Sequence, residues 1–447
     1  MDVTSGEERV VEDTPAQVTL RCREVESTPV ESFLHEVETP RIGWATSETA
    51  IAAGGATEAI RTAGPGRIAS VRAVADRLLA SVAVPEELPR PARPRLFGGF
   101  AFHRDHDEAV NDIWSGFPGA YFVLPAIQLT VTDAGAWLTA TASGDDAGDE
   151  ADARLDRWAE RLAGLSPGRN GDPPGIEARR PTTEKREWNE QVRSAVESVR
   201  EGRLRKVVLA QALSVDLAGA FDIPATLARL GRSCRDCYRF LFQPPDARTF
   251  FGATPERLVE LEGRTVRTTA LAGSTGRGET TEEDDWLAAE LRDSEKDAHE
   301  HALVVEAIRD QLEPVAEHVS TGGRTVRRLP TVQHLQTPIR ASLPTDAHVL
   351  SVVEALHPTP AVGGLPPDEA LRTIRETETF DRGWYAAPFG WVDAAGDGTF
   401  AVGIRSAVAE PARATLFAGD GIVADSDPDR EWDELQLKYR PILDELE

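Results

Sequence analysis

Of the 49 lysine and arginine residues in this 447-residue chain only four are lysines, Lys185, Lys206, Lys296 and Lys438. Arginine keeps its proton under all working conditions, so a lysine retained in such a background suits what arginine cannot do, acting as a base or a compact charge. G+C-rich codon usage explains the scarcity of lysine but not its placement. Lys206 opens the apolar run Lys206-Val-Val-Leu-Ala-Gln-Ala-Leu-Ser-Val-Asp216. Lys296 lies in Ser294-Glu-Lys-Asp-Ala-His-Glu-His301, and Lys438 lies one turn beyond Glu434.

Carboxylates accompany these lysines. Glu300 precedes Val304, Ala307 and Ile308 at i+4, i+7 and i+8, which puts it on the apolar stripe of a helix. An isolated charge there is too costly, so it must be paired or bind a cation. Glu431, Glu434 and Lys438 share one face of a second helix at i, i+3 and i+7, either as a surface ion-pair ladder or as part of a site. An all-carboxylate set suits a hard divalent cation such as Mg²⁺ that keeps waters and binds an anionic substrate. His299-Glu-His301 lacks the His-Glu-x-x-His spacing of a zinc protease. Cys22, Cys234 and Cys237 lack the second pair that structural zinc needs. Cys234-Arg-Asp-Cys237 reads as small buried residues beside a strand, with a redox pair as the alternative.

The elements that must position these groups are legible in part. Ser294 with Asp297 has the Ser-x-x-acid spacing of a helix start. Asp427 and Pro428 suit the N-cap and first position of the Glu431 helix. Trp188, Val192, Ala195, Val196 and Val199 recur at helical spacing until Gly202 ends the stripe. Period 2 in the run 206–216 puts Lys206, Val208, Ala210 and Ala212 on one strand face, where Lys206 either enters a site or marks the edge and reaches for water. Segments 96–102 and 121–131 read as strands, the second passing through Thr132-Asp-Ala-Gly135 into another, a hairpin pattern. Further strands are predicted over 240–242, 249–251, 258–261, 400–404 and 414–417. Phe417-Ala-Gly-Asp-Gly-Ile-Val423 and Leu271-Ala-Gly-Ser-Thr-Gly-Arg-Gly278 read as glycine-punctuated turns whose free N–H groups can hold an anion. Hairpins with helices inserted in blocks indicate an α+β fold. The breaker cluster at 166–175 divides an N-terminal region, 1–180, that contributes strands to a shared core from a region, 181–447, that carries the motifs.

Composition restricts the partners. The chain has 49 basic and 75 acidic residues, a formal charge of −26 spread along its length. Phosphate backbones require clustered Lys and Arg, so no nucleic-acid partner is expected. Self-repulsion on this scale is screened by concentrated salt, which points to a salt-rich cytoplasm. The first eight residues are acidic and polar, unlike a secretory or transit peptide, and no run is long and apolar enough to span a bilayer, so no membrane partner is expected.

Taken in chain order, ten segments resemble the chorismate-utilising enzymes. They are Lys206-Val-Val-Leu, Phe251-Gly-Ala-Thr-Pro-Glu256, Leu271-Ala-Gly-Ser274, the 294–301 segment, His334-Leu-Gln-Thr337, His357-Pro-Thr-Pro360, Phe380-Asp-Arg-Gly383, Ile404-Arg405, the 417–423 segment and Glu431-Trp-Asp-Glu434. Phe97-Gly-Gly-Phe100 and Phe122-Val-Leu-Pro125 extend a weaker likeness into the N-terminal third. The family includes isochorismate synthases, anthranilate synthase component I, aminodeoxychorismate synthase component I and salicylate synthases. The resemblance implies large, mostly antiparallel β-sheets packed face to face and surrounded by helices. Lys206 stands where the ammonia-using members carry glutamine, and Ala272 where aminodeoxychorismate synthases generally place a nucleophilic lysine. That combination is closest to isochorismate synthases, and it implies Mg²⁺-dependent isomerisation of chorismate by water addition at C2 and loss of the C4 hydroxyl. A salicylate synthase, which goes on to eliminate pyruvate, and a catalytically silent chorismate- or partner-binding subunit are the alternatives.

Carried over residue by residue, the resemblance makes Lys206 the base that takes a proton from water and Glu256 the acid that protonates the departing hydroxyl. Glu300 and Glu434, with Glu431, hold Mg²⁺. Gly273, Ser274, His334, Tyr385, Ile404, Arg405, Phe417, Gly419, Gly421 and Lys438 bind chorismate. A monomer that feeds menaquinone synthesis is expected. Three positions depart from the family pattern: Ala387 and Arg340 stand where glycine is frequent, and Asp420 replaces a small neutral residue.

Overall fold

The computed structural model describes residues 17–110, 112–165 and 171–447. The acidic first eight residues and positions 166–170 of the breaker cluster lie outside them. Among the described residues, 21 strands join into one connected sheet, with ten α-helices packed around it. Apart from the parallel pairing of Val18–Val25 with Val82–Ala83, the ladders described here are antiparallel.

The long strand Ala120–Thr132 is the branch point. One edge pairs with Thr49–Thr62, and the other is shared between Arg95–Phe100 and Gly135–Ser143. From Thr49–Thr62 a first arm runs through Arg41–Ala45, Tyr238–Gln243, Thr249–Thr254, Ser406–Glu410 and Arg413–Ile422 to Lys206–Leu217. From Arg95–Phe100 a second arm runs through Pro388–Asp393, Gly398–Val402, Arg257–Glu262 and Thr265–Gly276 to Val332–Ser342. Aromatic side chains join the arms face to face. Phe240 and Phe242, two apart and therefore on one strand face, meet Phe389 of the second arm at 5.3 and 5.8 Å between ring centroids. Each such ring contributes on the order of 2–3 kcal/mol by leaving water.

Two peptides cross between the arms. Pro255-Glu256 joins Thr249–Thr254 to Arg257–Glu262, and Gly403-Ile404-Arg405 joins Gly398–Val402 to Ser406–Glu410. They are tied together: the Val402 amide donates to Glu256 O at 2.9 Å, and the Ala253 amide to Arg405 O at 3.1 Å.

Local signals place the helices well. Ser294 caps Glu295–Leu312 by accepting from the Asp297 amide at 3.2 Å, and Asp427 caps Pro428–Leu443 by accepting from Asp429 and Arg430. The stripe at Trp188 forms Lys185–Arg200, with Trp188 and Val192 fully buried. The glycine-rich segments differ from expectation. Both predicted turns are largely strand: 417–422 lies in Arg413–Ile422, and 271–276 in Thr265–Gly276, with a bulge at Gly273, whose φ is +75°. Glycine is needed there for room. A Cβ on Gly421 would lie 2.7 Å from Lys206 Cε, and one on Gly419 would lie 3.1 Å from Tyr385 Oη. The strand predicted over 400–404 stops at Val402, because the chain there crosses between the arms. Cys234 and Cys237 are buried beside a strand as expected, and they are also joined as a disulfide. No helix among the described residues is long and apolar enough to cross a membrane.

Candidate active site

The far ends of the two arms enclose a cavity of about 130 Å³ together with the helices Glu295–Leu312 and Pro428–Leu443. Every residue assigned above to catalysis, substrate or metal lines it. Lys206 comes from the last strand of the first arm. Its side chain is 3% exposed and donates from Nζ to Glu300 Oε1 at 2.8 Å, so it does not reach outward to water. The strand behind it is pinned by a buried ion pair. Arg382 donates to Val208 O at 2.8 Å and to Val362 O at 2.7 Å, and its Nε bonds Glu378 at 2.9 Å. Glu378 in turn accepts the Ala210 amide at 2.8 Å. Burying two charges is costly unless their hydrogen bonds are met, as they are here. The Phe380-Asp-Arg-Gly383 segment marked this region, but the sequence assigned Arg382 no task.

Glu256 sits on the first crossing peptide and is buried. Burial raises its carboxyl to about 7, against the opposing pull of Lys206, Arg405 and Arg327, so it holds a proton near neutrality. Arg327 is a residue that sequence reasoning missed. It donates to Pro255 O and to Asp236 O, both at 2.8 Å, and so clamps the peptide that carries Glu256. Its targets are backbone carbonyls, which leave no motif.

Arg405 sits on the second crossing peptide with φ +51°, a left-handed conformation that costs a non-glycine residue strain. Its Nη1 is buried without a hydrogen-bond partner. An unmet guanidinium donor in a cavity fits a carboxylate of the ligand. His334 shares a 2.8 Å hydrogen bond between Nδ1 and Ser274 Oγ. Burial, helped by Arg405 and Lys438, lowers its pKa to about 3, which leaves a neutral imidazole. Tyr385 stacks on Phe417 at 5.1 Å, and burial raises its phenol, so it keeps its proton. Ile404 extends this apolar wall, and Ala272 presents only a methyl group.

The helix Pro428–Leu443 delivers the other charges to the interior, not to a surface ladder. Lys438 Nζ donates to Glu434 Oε1 at 2.8 Å, to Gly419 O at 3.1 Å and to Asp420 Oδ1, so protein acceptors take its three donors. Burial works against the Lys438 ammonium, but Asp420 and Glu434 outweigh it and raise its pKa. Burial likewise pushes Glu434 up, and Lys438 overcomes this and holds it at about 2. Glu431 is raised to about 7 by burial and by Glu434. Asp420 is raised well above the usual carboxylate range by burial and by Glu434, because one ammonium cannot compensate both carboxylates. Ligand oxygens of Asp420, Glu431 and Glu434 lie within 4.8 Å of one another, whereas Glu300 is engaged by Lys206. The donor set is oxygen only, and Asp420 Oδ2 is buried without a partner, so these residues fit a hard divalent cation. Of the other departures, Ala387 is buried outside the cavity lining and Arg340 is exposed.

Comparison with known proteins gives the same family throughout. A family model described as chorismate binding enzyme matches residues 6–447. The salicylate biosynthesis isochorismate synthase of Pseudomonas aeruginosa is 38% identical over 414 residues, covering 92% of this chain and 85% of that protein. Isochorismate synthase MenF of Bacillus subtilis is 38% identical over 357 residues, covering 79% of this chain and 74% of the relative. The solved structure of MenF, the menaquinone-specific isochorismate synthase from Escherichia coli, superimposes with a TM-score of 0.80 at 26% identity, covering 98% of this chain and 97% of that one. A cavity that pairs a buried amine with a proton-holding carboxyl, on a fold and sequence shared with these proteins across almost the whole length, shows that the chain belongs to the chorismate binding enzyme family.

Proposed function

We propose that this protein is an isochorismate synthase, which isomerises chorismate to isochorismate with Mg²⁺ bound. The observation that carries the reading is the placement of Lys206 and the proton-holding Glu256 in one cavity; Ala272, which stands where the resemblance puts the nucleophilic lysine of aminodeoxychorismate synthases, agrees with it. Lys206 takes a proton from the water that forms the new C2–O bond. Glu256 gives its proton to the C4 hydroxyl, which departs as water, so one water enters and one leaves. Lys206 serves as a base only as a neutral amine, so Glu300, which holds it at 2.8 Å, must release it first. Glu434 and Glu431, with Glu300, would hold the Mg²⁺, which supplies a fixed positive charge for the ring carboxylate. Arg405 offers its free Nη1 to a substrate carboxylate, and the Tyr385–Phe417 wall orients the ring.

The similarity to an isochorismate synthase of salicylate biosynthesis gives a second reading, in which pyruvate elimination follows isomerisation. The likeness to MenF proteins favours release of isochorismate toward menaquinone. Incubation of the purified protein with chorismate and Mg²⁺, followed by chromatography, separates the two. Isochorismate without pyruvate is expected; stoichiometric pyruvate and salicylate would establish the second reading, and unchanged chorismate would defeat both.

A further inference from the structure

The geometry points to Asp420 as a further carboxylate ligand of the divalent cation, beside Glu431 and Glu434 and in addition to the Glu300 assigned above. The inference rests on the metal-dependent reading above and adds to it a residue that departs from the family pattern. Asp420 is 1% exposed, and its two oxygens have different surroundings. Oδ1 faces Lys438 Nζ, while Oδ2 is buried with no hydrogen-bond partner. A carboxylate oxygen left bare in the interior is destabilising, and a cation relieves that.

Strand alternation accounts for where Asp420 points. It lies between Gly419 and Gly421 in Arg413–Ile422, so its side chain leaves the face on which Gly421 packs against Lys206. It turns instead toward the helix Pro428–Leu443 that carries Glu431 and Glu434. Ligand oxygens of the three residues lie within 4.8 Å of one another. Around one octahedral Mg²⁺ with Mg–O near 2.1 Å, neighbouring and opposite oxygens lie about 3–4 Å apart, so small side-chain movements close the set.

Charge counting leads to the same place. Asp420 and Glu434 share the ammonium of Lys438 and the buried guanidinium of Arg405, and Glu431 has Lys296, 42% exposed, at 4.0 Å. Three carboxylates gathered in a buried pocket carry more acidic oxygen than the neighbouring cations can pair, and a divalent cation binds the remainder.

Mn²⁺ serves as the probe, added to the chelator-treated full-length protein. Free Mn²⁺ is followed by electron paramagnetic resonance, and the water molecules on the bound ion by proton relaxation. For Asp420→Ala, binding weaker by at least about tenfold and one additional water on the bound ion are expected. Asp420→Asn, of the same size, serves if loss of the Lys438 partner prevents the alanine variant from folding, and thermal unfolding without metal checks both. Unchanged affinity overturns the inference, and so does weaker affinity with unchanged hydration, which would mean that the charge acts through space. If the unaltered protein binds no Mn²⁺, the metal-dependent reading itself falls, and Asp420 with it.

Discussion

In the proposed reaction Glu256 and Lys206 divide the proton transfers, and their surroundings make the division testable. Glu256 must hold a proton to act as an acid, and burial raises it to about 7. Turnover therefore declines as pH rises through that value, an alkaline limb that a pH–rate profile measures directly. Glu256→Gln and Lys206→Ala should each lower kcat by on the order of 10²–10⁴-fold while near-ultraviolet circular dichroism stays native. Arg327→Met removes one of the cations that pull Glu256 down, together with the clamp on Pro255. The alkaline limb should then move to higher pH as kcat falls several-fold; a fall in kcat with the limb unmoved would reduce Arg327 to scaffolding. Residue identity made Lys206 and Glu300 visible in the sequence, because a charge in an apolar pattern has to be accounted for. Arg327 left no such sign, since it acts through the carbonyls of Pro255 and Asp236.

At the level of elements, the strand Arg413–Ile422 shows what sequence periodicity conveys and where it misleads. Its glycines suggest a turn because glycine is common where φ is positive, yet Gly419 and Gly421 are strand residues that make room for neighbouring side chains. Gly421→Ala tests this. The new Cβ would press on Lys206 Cε at 2.7 Å and on Glu300 Oε1 at 3.1 Å, displacing the amine and not the backbone. A loss of kcat with little change in Tm is expected, whereas a large drop in Tm with kcat preserved would refute it. Helix starts at Ser294 and Asp427 were legible because capping is local chemistry. The partner strands were not, because Arg41–Ala45 pairs with Tyr238–Gln243, and Arg95–Phe100 with Pro388–Asp393, across roughly two hundred to three hundred residues.

For the molecule as a whole, the excess of 75 acidic over 49 basic residues sets the response to ions. At low ionic strength the like charges repel over about 10 Å or more, and in molar salt over about 3 Å. Tm and kcat/KM are therefore expected to rise between dilute buffer and molar KCl, and values independent of KCl would remove the case for salt adaptation. The two crossing peptides, which carry Glu256 and Arg405, impose an order of assembly. Neither residue reaches its place until both arms of the sheet have formed and docked, and that requires the long-range strand pairs, which form slowly. On dilution from denaturant, far-ultraviolet circular dichroism should recover first and catalysis last. Activity in this protein is thus a late folding signal, and under the proposed function a substrate bound in the cavity between the ends of the arms would hold the chain in its finished state by mass action.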